Sequence, residues 1–343
     1  MGVLIPDRVA ESPLSKLLVR NGLTQIHQGK VRNTYELPDH PDLLFQLVTN
    51  RISIFDFVLP ALVRSKGEVL TAMTIFWLTK VLKDFPHHLV AFGSNIDDFL
   101  PGNLRANPEL QRRALVVKKL EILPIEWIVR GFLTGSGWAA YQESEQVCGI
   151  PLPAGLHDGA KLPHPIFTPT TKAEVGHDLH LSAEDVIAKH GEKPRDLALS
   201  IYARALAYAE SRGIIIADTK FEFGVEEILA DEVLTPDSSR FWKRDEWEEA
   251  VSRRKSPPGH DKELVRTWGK GITTPFLFGR GKRIVGIHKL DPTHGGHIAF
   301  VHDELRVPNC VLSNTRWRYR NIFQMLTGQE LEKFQKSKMG IAV

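Results

Sequence analysis

The chain has 343 residues, and its 44 Lys and Arg residues against 41 Asp and Glu residues give a net charge of +3 with neutral histidines. Hydrophobic residues make up 42% and charged residues 25% of the chain, which is an ordinary globular composition and excludes a disordered protein. No block of lysines and arginines dominates, so nucleic acid is not an expected partner. The length suggests about two domains.

Two cysteines, Cys148 and Cys310, lie far apart without a Cys-x-x-Cys pattern. This excludes a disulfide framework and a zinc site built on thiolates. Residues 1–6 lack the basic and apolar regions of a secretion signal. No apolar run approaches the roughly 18 residues needed to cross a bilayer. We therefore predict a cytoplasmic protein without a membrane partner.

The first part of the chain alternates strand-like and helix-like patterns. Between Glu68 and Phe85, apolar residues recur every three or four positions, which predicts a helix that Pro86 ends. A short helical pattern also opens at Gly135 and runs through Tyr141. Apolar runs rich in β-branched and aromatic residues predict strands over 43–49, 52–59, 114–122 and 125–133.

The middle of the chain contains a proline-rich segment and two predicted helices. Residues 151–171 hold too many prolines for a helix or an inner strand, so we predict an irregular, ordered loop. Ser182 begins a capping-box pattern for a helix running to about His190. Pro194 suits the first turn of a second helix, which Gly213 would end.

The remaining pattern completes the predicted fold class. A strand begins at Ile214, an amphipathic segment covers 261–268, and residues 315–336 form a helical pattern. Strand pairs followed by helices and then a hairpin favour the α+β class over a regular βαβ series.

One predicted strand, residues 214–224, carries the most informative pattern. Because side chains alternate along a strand, Asp218, Lys220 and Glu222 share one face, so two carboxylates flank one ammonium. In one hairpin register, Asp231 lies opposite Glu222 on that face. Oxygen ligands from adjacent strands are what Mg²⁺ takes, with water and substrate phosphates completing its shell.

The alternative interpretation of this strand is a solvated charged face. The polar loop that follows, residues 231–240, offers carboxylate, hydroxyl and guanidinium groups. Such a loop favours a binding site over a plain surface.

Two glycine-containing segments suggest ligand contacts. Residues 29–32 combine a glycine, which lets backbone N–H groups approach phosphate, with the charge of Lys30. Neither a P-loop nor the kinase glycine motif occurs. Residues 135–140 fit G-x-G-x-x-A, but the acid that a dinucleotide site needs would fall in the proline-rich segment. We therefore favour a tight turn that presents Ser136 to a ligand beside Arg130.

Histidines are plentiful in two parts of the chain. They are His177 and His180, and the group His288, His294, His297 and His302. Because no acidic or thiolate partners stand at a recognised spacing, we predict surface or loop histidines instead of a metal site.

Eight segments in order along the chain resemble the SAICAR synthetase (phosphoribosylaminoimidazole-succinocarboxamide synthase) family. They are GKVR (29–32), NRIS (50–53) with FD (55–56), KGEVLT (66–71), VRG (129–131), TGSG (134–137), FTPTTK (167–172), ADTKFEFG (217–224) and DEVLTPDSSR (231–240). The similarity covers roughly residues 20–270 and resumes near 307–330.

The resemblance implies an α+β fold of two lobes that enclose ATP. A β-rich lobe would cover residues 1–120 and a larger α/β lobe residues 121–343, with an insertion at 272–306. It further implies an ATP-dependent ligase of de novo purine biosynthesis. L-Aspartate is joined to the carboxylate of carboxyaminoimidazole ribonucleotide, with Mg²⁺, to give SAICAR, ADP and phosphate.

The resemblance also assigns roles to residues of this sequence. The assigned groups are Gly29, Lys30, Val31, Arg32 and Lys172 for ATP; Arg130, Ser136, Arg240 and Ser53 for the substrates; Lys220 and Asp218 for catalysis; and Glu222 and Asp231 for Mg²⁺. Two departures are Asn33 and Asn50, where the family often has aspartate.

A carboxylate is a poor acyl donor until it is phosphorylated. The expected route is therefore transfer of the γ-phosphoryl group of ATP to give an acyl phosphate, which the amine of aspartate attacks. Two other classes of function remain open. One is a nucleotide-binding protein without turnover, and the other is a small-molecule kinase that stops at a phosphorylated product.

Overall fold

The computed structural model describes residues 4–10, 12–172, 179–279 and 281–342. Helices and antiparallel sheets make up the fold, so the predicted α+β class is confirmed. Within the described ranges, no helix combines the length and the apolar character needed to cross a membrane.

The first part of the chain builds a five-stranded antiparallel sheet and a separate hairpin. Its elements are α1 (Asp7–Ala10), α2 (Pro13–Arg20), β1 (Thr24–Gln28), β2 (Arg32–Leu37), β3 (His40–Val48), β4 (Arg51–Ile54), β5 (Phe57–Leu62), α3 (Lys66–Phe76), β6 (Leu89–Phe92), α4 (Pro108–Arg113) and β7 (Ala114–Lys118). The sheet order is β1-β2-β3-β7-β6, and β4 pairs only with β5 among the described strands. Alternate residues of β2, namely Asn33, Tyr35 and Leu37, are buried, as period-two patterning requires.

The middle of the chain builds a second sheet around one buried strand. Its elements are β8 (Ile125–Phe132), α5 (Gly135–Ser144), β9 (Gln146–Val147), β10 (Ile150–Pro151), β11 (Lys161–Phe167), β12 (Thr170–Thr171), α6 (Ala183–His190), α7 (Lys193–Ser211), β13 (Ile214–Phe223), β14 (Leu229–Ala230) and β15 (Ser239–Lys243). The order is β11-β8-β13-β14, with β12 added to β8 and β15 to β13. Every residue of β13 except Lys220 is buried.

The last part of the chain is mainly helical. Its elements are α8 (Arg244–Ser252), α9 (Glu263–Lys270), β16 (Thr273–Phe278), β17 (Lys282–Val285), α10 (Gly295–Ala299), α11 (Asn309–Thr327) and α12 (Leu331–Met339). The segment 272–306, predicted as an insertion, packs on the β4–β5 hairpin through an apolar cluster that includes Ile54, Phe57, Ile287 and Val301.

A single large apolar cluster joins elements of both main sheets. It includes Val117 of β7, Trp127 of β8 and Phe323 of α11, together with Trp77, where α3 continues as a π-helix. The Trp77 indole N–H also donates to the carbonyl of Leu234 at 3.0 Å. The apolar core therefore includes residues from both sides of position 120, where the resemblance implies a boundary between lobes.

The proline-rich segment 151–171 is irregular over residues 152–160, as predicted, but the prediction is wrong for residues 161–167, which form a strand. It contains β10, β11 and β12, and β11 forms the edge of the second sheet. Its pairing with β8 is irregular between Lys161 and Ile166, where Pro163 and Pro165 lie. Prolines are tolerated at an edge because their missing N–H groups are not needed there by a further strand.

Three other predicted boundaries change in the structure. The strand predicted at 52–59 is divided into β4 and β5 by a turn at Phe55 and Asp56. The helix predicted at 315–336 is two helices, because Gly328 adopts a left-handed conformation (φ 74°) after α11. Helical structure that begins at Lys66 ends with the π-helix Trp77–Val81, before Pro86.

The predicted helix caps are confirmed. The Ser182 hydroxyl accepts a hydrogen bond from the Asp185 N–H at 3.2 Å at the start of α6. Pro194 lies in the first turn of α7, and Gly213 follows its end with φ 72°.

Candidate functional site

A cavity of about 1260 Å³ lies between the β4–β5 hairpin, strands β8 and β13, and helix α9. Predicted site residues that line it are Lys30, Val31, Ser53, Arg130, Ser136, Asp218, Lys220 and Arg240. The other predicted residues, Gly29, Arg32, Lys172, Glu222 and Asp231, adjoin these through the contacts described below.

Two arginines meet one aspartate at the cavity. Strand register places Arg130 of β8 and Arg240 of β15 on either side of Asp218. Nη1 of Arg130 donates to Oδ2 of Asp218 at 2.5 Å, and Nη1 of Arg240 donates to the same oxygen. Arg130 also donates to the Ser136 hydroxyl at 3.0 Å. Two guanidinium groups against one carboxylate leave one excess positive charge, so this arginine site suits an anion.

Two glycines allow α5 to close on these arginines. A Cβ atom on Gly137 would lie 3.1 Å from Nε of Arg130, and one on Gly135 would lie 2.3 Å from Nη2 of Arg240. Gly135 also has a φ of +58°, which favours glycine. The G-x-G-x-x-A pattern thus serves the arginine site. A dinucleotide fold would need a parallel βαβ unit, whereas β8 is antiparallel to its neighbours.

Lys220 of β13 is surrounded by carboxylates. Its Nζ atom lies 2.6 Å from Oε1 of Glu222, 3.4 Å from Glu126 and 4.0 Å from Asp231. Lys172 donates to the other oxygen of Glu222 at 2.5 Å. Burial opposes both charges, but the carboxylates keep the pKa of Lys220 above its usual range, and the two lysines lower the pKa of Glu222 to about 2. Both side chains are therefore ionised at neutral pH.

The hairpin register that would place Asp231 opposite Glu222 is wrong. Glu222 pairs with Ala230, and Asp231 follows with a left-handed backbone of φ 57°. This turn brings the Asp231 carboxylate into an ion pair with Arg32, which also lies 3.8 Å from Glu232. Glu222 and Asp231 still both lie near the Lys220 ammonium. They do so because the backbone bends at Asp231, and not because the two residues are paired in the sheet.

Carboxylates outnumber cations in this region, which we call the carboxylate cluster. Its members are Glu126, Glu222, Asp231 and Glu232, with Arg32, Lys172 and Lys220. Four negative charges against three positive charges leave a net charge of −1.

The donor set of this cluster fits Mg²⁺ better than a metal held by protein ligands alone. Within the described ranges, no three His, Cys, Asp or Glu side chains form a ready-made metal site. Glu222 and Asp231 both lie within 4.0 Å of the Lys220 ammonium, so two carboxylates face one cation. Mg²⁺ is commonly held by one or two carboxylates, with water and substrate phosphates as its other ligands.

The glycine–lysine loop forms the tip of the β1–β2 hairpin. The Gly29 N–H donates to the Arg32 carbonyl at 2.7 Å and closes the turn. From behind, the buried Arg51 donates to the carbonyls of Gly29 and Lys30 at 2.9 and 3.1 Å. Lys30 itself forms an ion pair with Asp56. The tip is therefore held in one place beside the cavity.

The polar face of α9 lines the site and was not predicted from the sequence. Glu263, Arg266, Thr267 and Lys270 all line the cavity, and Lys262 precedes them. Their spacing of three, four and seven residues places them on one side of a helix. The sequence therefore contained enough information to predict this face, because the amphipathic pattern predicts the helix and the spacing places these residues on one side of it. Burial lowers the pKa of Lys262 to about 8 although Asp237 opposes the shift.

A fully buried histidine was also missed. His88 lies close enough to Arg32 and Glu222 for both to act on its charge, and its Nε2 atom has no hydrogen-bond partner within the described chain. Burial, reinforced by Arg32, lowers the pKa of His88 to about 3, so the ring is neutral.

The histidines noted in the sequence are divided among different places. His177 lies outside the described residues, and the rings of His294 and His297 pack together at 4.4 Å. His288 differs from the predicted surface histidine, because it lines the cavity from a short 3₁₀ turn.

Comparison with known proteins places this chain in a known enzyme family. The family model described as SAICAR synthetase matches residues 25–276. The phosphoribosylaminoimidazole-succinocarboxamide synthase of Methylobacillus flagellatus is 42% identical over 316 residues, which cover 90% of this chain and 95% of that protein.

Solved structures agree with these matches. The SAICAR synthase of Saccharomyces cerevisiae, solved in complex with SAICAR, has a TM-score of 0.71 and 33% identity, covering 90% of this chain and 96% of the yeast chain. A SAICAR synthetase solved in complex with ADP is 20% identical with a TM-score of 0.56, covering 89% of this chain and 98% of that one, and shares the fold.

Proposed function

Because the chain belongs to the SAICAR synthetase family, we propose that it ligates L-aspartate to the carboxylate of carboxyaminoimidazole ribonucleotide, with conversion of ATP to ADP and phosphate, in purine biosynthesis. The observation that carries this proposal is the pattern along β13. Asp218 belongs to the positively charged arginine site, and Glu222 belongs to the negatively charged carboxylate cluster. A ligase of this class must hold an acid next to a metal-bound nucleotide.

The reaction begins with activation of the ribonucleotide carboxylate. One of its oxygens attacks the γ-phosphorus of ATP, ADP leaves, and an acyl phosphate forms. The aspartate amine then attacks the acyl carbon, a proton leaves the nitrogen, and the bond from carbon to the phosphate oxygen breaks. Positioning and charge stabilisation are the main needs of phosphoryl transfer.

The phosphates of ATP would be held by the Gly29–Lys30–Val31 tip and by the carboxylate cluster. Glu222 and Asp231 would hold Mg²⁺, which neutralises phosphate charge when it is bound. Lys220 and Lys172 keep Glu222 ionised and ready for a cation. The tip offers the Lys30 ammonium and backbone N–H groups to phosphate oxygens.

The acidic substrates would be bound by the arginine site. Arg130 and Arg240 present planar guanidinium groups that can hold a carboxylate or phosphate with two hydrogen bonds each. Ser136 and Ser53 supply hydroxyl donors at the same cavity. Asp218 accepts from both arginines through one oxygen, which suits a group that orients them instead of a free base.

The decisive experiment measures ADP release while substrates are omitted one at a time. We expect release only when ATP, the imidazole ribonucleotide and L-aspartate are all present, with SAICAR as the product. A stable phosphorylated product without aspartate would instead identify a small-molecule kinase. Nucleotide binding without any ADP release under these conditions would identify a protein that has no turnover.

A further inference from the structure

One wall of the cavity includes a residue beyond the stretch that the family model matches, which ends at residue 276. His288 follows the β16–β17 hairpin and lines the cavity, together with Thr267 and Lys270 of α9 and with Phe55 and Asp56 of the β4–β5 turn. We call these five residues the hairpin wall. It belongs to different elements from the arginine site, which is built on β8, β13 and β15.

The His288 ring is held in one orientation. A Cβ atom on Gly286, whose φ is +97°, would lie 2.2 Å from Cε1 and 2.3 Å from Nδ1 of this ring. On another side, the ring of Phe55 packs with a centroid distance of 5.5 Å. Nδ1 is buried without a partner among the described residues. The nitrogen left to face the cavity is therefore Nε2.

A second glycine brings α9 against the same turn. A Cβ atom on Gly269 would lie 2.7 Å from Cδ1 of Ile54 and 3.2 Å from Cδ1 of Ile287. The glycine allows the helix to approach β4 and the 3₁₀ turn this closely without displacing the ends of these two isoleucine side chains. The approach places Lys270, the next residue, and His288, which follows Ile287, at the same wall.

The β4–β5 turn contributes strained backbone to the wall. Phe55 and Asp56 both have left-handed conformations, with φ values of 51° and 65°. Such conformations cost on the order of 1–3 kcal/mol for residues other than glycine and are concentrated at ligand sites. The turn itself accounts for both conformations, because Phe55 and Asp56 form the two-residue hairpin loop between the paired residues Ile54 and Phe57, and such loops commonly need positive φ at both positions.

The cation that the wall itself presents to the cavity is Lys270. Lys30 pairs with Asp56, while Lys270 and Arg266 share Glu263 at 3.4 and 3.5 Å. Asp261 also acts on Arg266, so three carboxylates match the three cations and the surroundings of the wall carry no excess charge. His288 adds a polar ring atom at the same place. A carboxylate would find both a positive charge and a hydrogen-bond donor there.

We propose that the hairpin wall binds a carboxylate of the amino acid co-substrate, through Nζ of Lys270 and Nε2–H of His288. This inference rests on the proposed function, because a ligase that joins two acids must hold them at once in separate places. The arginine site serves the ribonucleotide, and the hairpin wall presents a separate ammonium, that of Lys270, on other elements of the same cavity. It would select a dicarboxylic amino acid over one with a single carboxylate.

Steady-state kinetics of the full chain test the proposal. His288→Leu and Lys270→Met should each raise KM for L-aspartate about 10-fold or more, because each removes a hydrogen bond to a charged group. KM for ATP and for the ribonucleotide should stay within about twofold. Lys289→Met is the matched control, since Lys289 is exposed next to His288 and does not line the cavity.

Two glycine variants separate displacement of the ring from general strain. Gly286→Ala should reproduce the rise in KM for aspartate, because its Cβ atom would lie 2.2 Å from the His288 ring and 2.9 Å from the Lys270 carbonyl oxygen, and so would displace both proposed binding residues. Gly281→Ala has a comparable φ of +83° but meets nothing within 4 Å, so it should leave KM unchanged.

Inhibition by substrate analogues measures carboxylate binding separately from the amine of aspartate, which these analogues lack. Succinate should compete with aspartate in the wild type far better than propionate, which lacks the second carboxylate. In His288→Leu and Lys270→Met the preference for succinate over propionate should shrink about 10-fold.

Several results would overturn the proposal. One is an active His288→Leu variant with the wild-type KM for aspartate, and another is a rise in KM for ATP instead. If the wild type itself releases no ADP with all substrates, the proposed function fails. The hairpin wall is then tested by calorimetric binding of succinate to the wild type and His288→Leu, where equal affinities would overturn it.

Discussion

Nζ of Lys66 lies 2.6 Å from Oδ2 of Asp237, and these side chains are only 0% and 3% exposed. The Tyr319 hydroxyl donates to the other carboxylate oxygen of Asp237 at 2.7 Å. Lys66 begins α3, Tyr319 belongs to α11, and Asp237 lines the cavity. This buried network therefore ties two helices to the loop that borders the site.

Asp237→Asn should destabilise the protein strongly. The substitution leaves the Lys66 ammonium buried without a counter-charge, which costs about 3–5 kcal/mol in comparable pairs. Urea unfolding measures the loss. Glu36→Gln is the matched control, because its pair with Lys119 is 3.0 Å long but about half exposed on both sides. That control should lose at most about 1 kcal/mol. Equal losses in the two variants would contradict the prediction.

The same pair should make stability depend on acid pH. Burial raises the pKa of Asp237, but Lys66 and Lys262 outweigh it and lower the value to about 2, below the ordinary 3.8. A lowered pKa stabilises the fold above pH 3.8, and this stabilisation is lost as the pH falls through 2. The difference in unfolding free energy between wild type and Asp237→Asn should shrink between pH 4 and pH 2. A constant difference over this range would show that the pair is not the cause.

Glu222→Gln should reduce turnover by about 100-fold or more, because the neutral amide weakens the carboxylate cluster as a cation site. The concentration of Mg²⁺ needed for half-maximal activity should rise. The effect of Mg²⁺ on ADP binding, measured by calorimetry, should weaken in parallel. Glu226→Gln, at an exposed position beyond the same strand, should behave like the wild type. An unchanged Mg²⁺ dependence in Glu222→Gln would remove this residue from the metal site.

Arg240→Lys should raise KM for the ribonucleotide about 10-fold, since lysine cannot form the planar fork that shares Asp218 with Arg130. Initial rates at saturating ATP and aspartate measure the change. Arg253→Lys, at a position that is 64% exposed, is the control and should have no effect. Unaltered saturation by both acidic substrates in Arg240→Lys would refute the assignment.

Gly131→Ala should destabilise the protein by about 1–3 kcal/mol, because its Cβ atom would lie 2.2 Å from the Tyr202 hydroxyl oxygen. Tyr202→Phe removes that oxygen, and the next nearest atom, Cζ, is 3.0 Å away. Tyr202→Phe alone also loses the hydrogen bond to the Ile216 carbonyl, 2.7 Å long. In a double-mutant cycle, the second change should therefore recover part of the loss. Strictly additive losses would contradict the steric explanation.

Local patterns predicted the features that local chemistry decides. The alternation of Asp218, Lys220 and Glu222 along a strand and the Ser182 cap needed only backbone geometry. Both features depend on only a few consecutive residues, so they can be predicted from one sequence without knowledge of distant contacts. The resemblance assigned Arg130 and Arg240 to the substrates, but the register that places both opposite Asp218 is seen only in the structure.

Features that depend on distant packing were not predictable in this way. Pro163 and Pro165 lie in a strand because β11 is at a sheet edge, which the composition of the segment cannot reveal. Asp231 reaches Lys220 through a left-handed residue, so the assumption of a regular register failed. His288 reaches the cavity only because its segment packs on the β4–β5 hairpin.

The hydrogen bond from Trp77 to Leu234 links residues on both sides of position 120. This link affects how the protein unfolds. A cut between residues 120 and 121 would leave each fragment with one side of the same apolar cluster open to water. The two fragments would then have to associate before either could fold. Heating should accordingly melt the intact chain in one cooperative step, with the tryptophan signal and the loss of nucleotide affinity following the same curve.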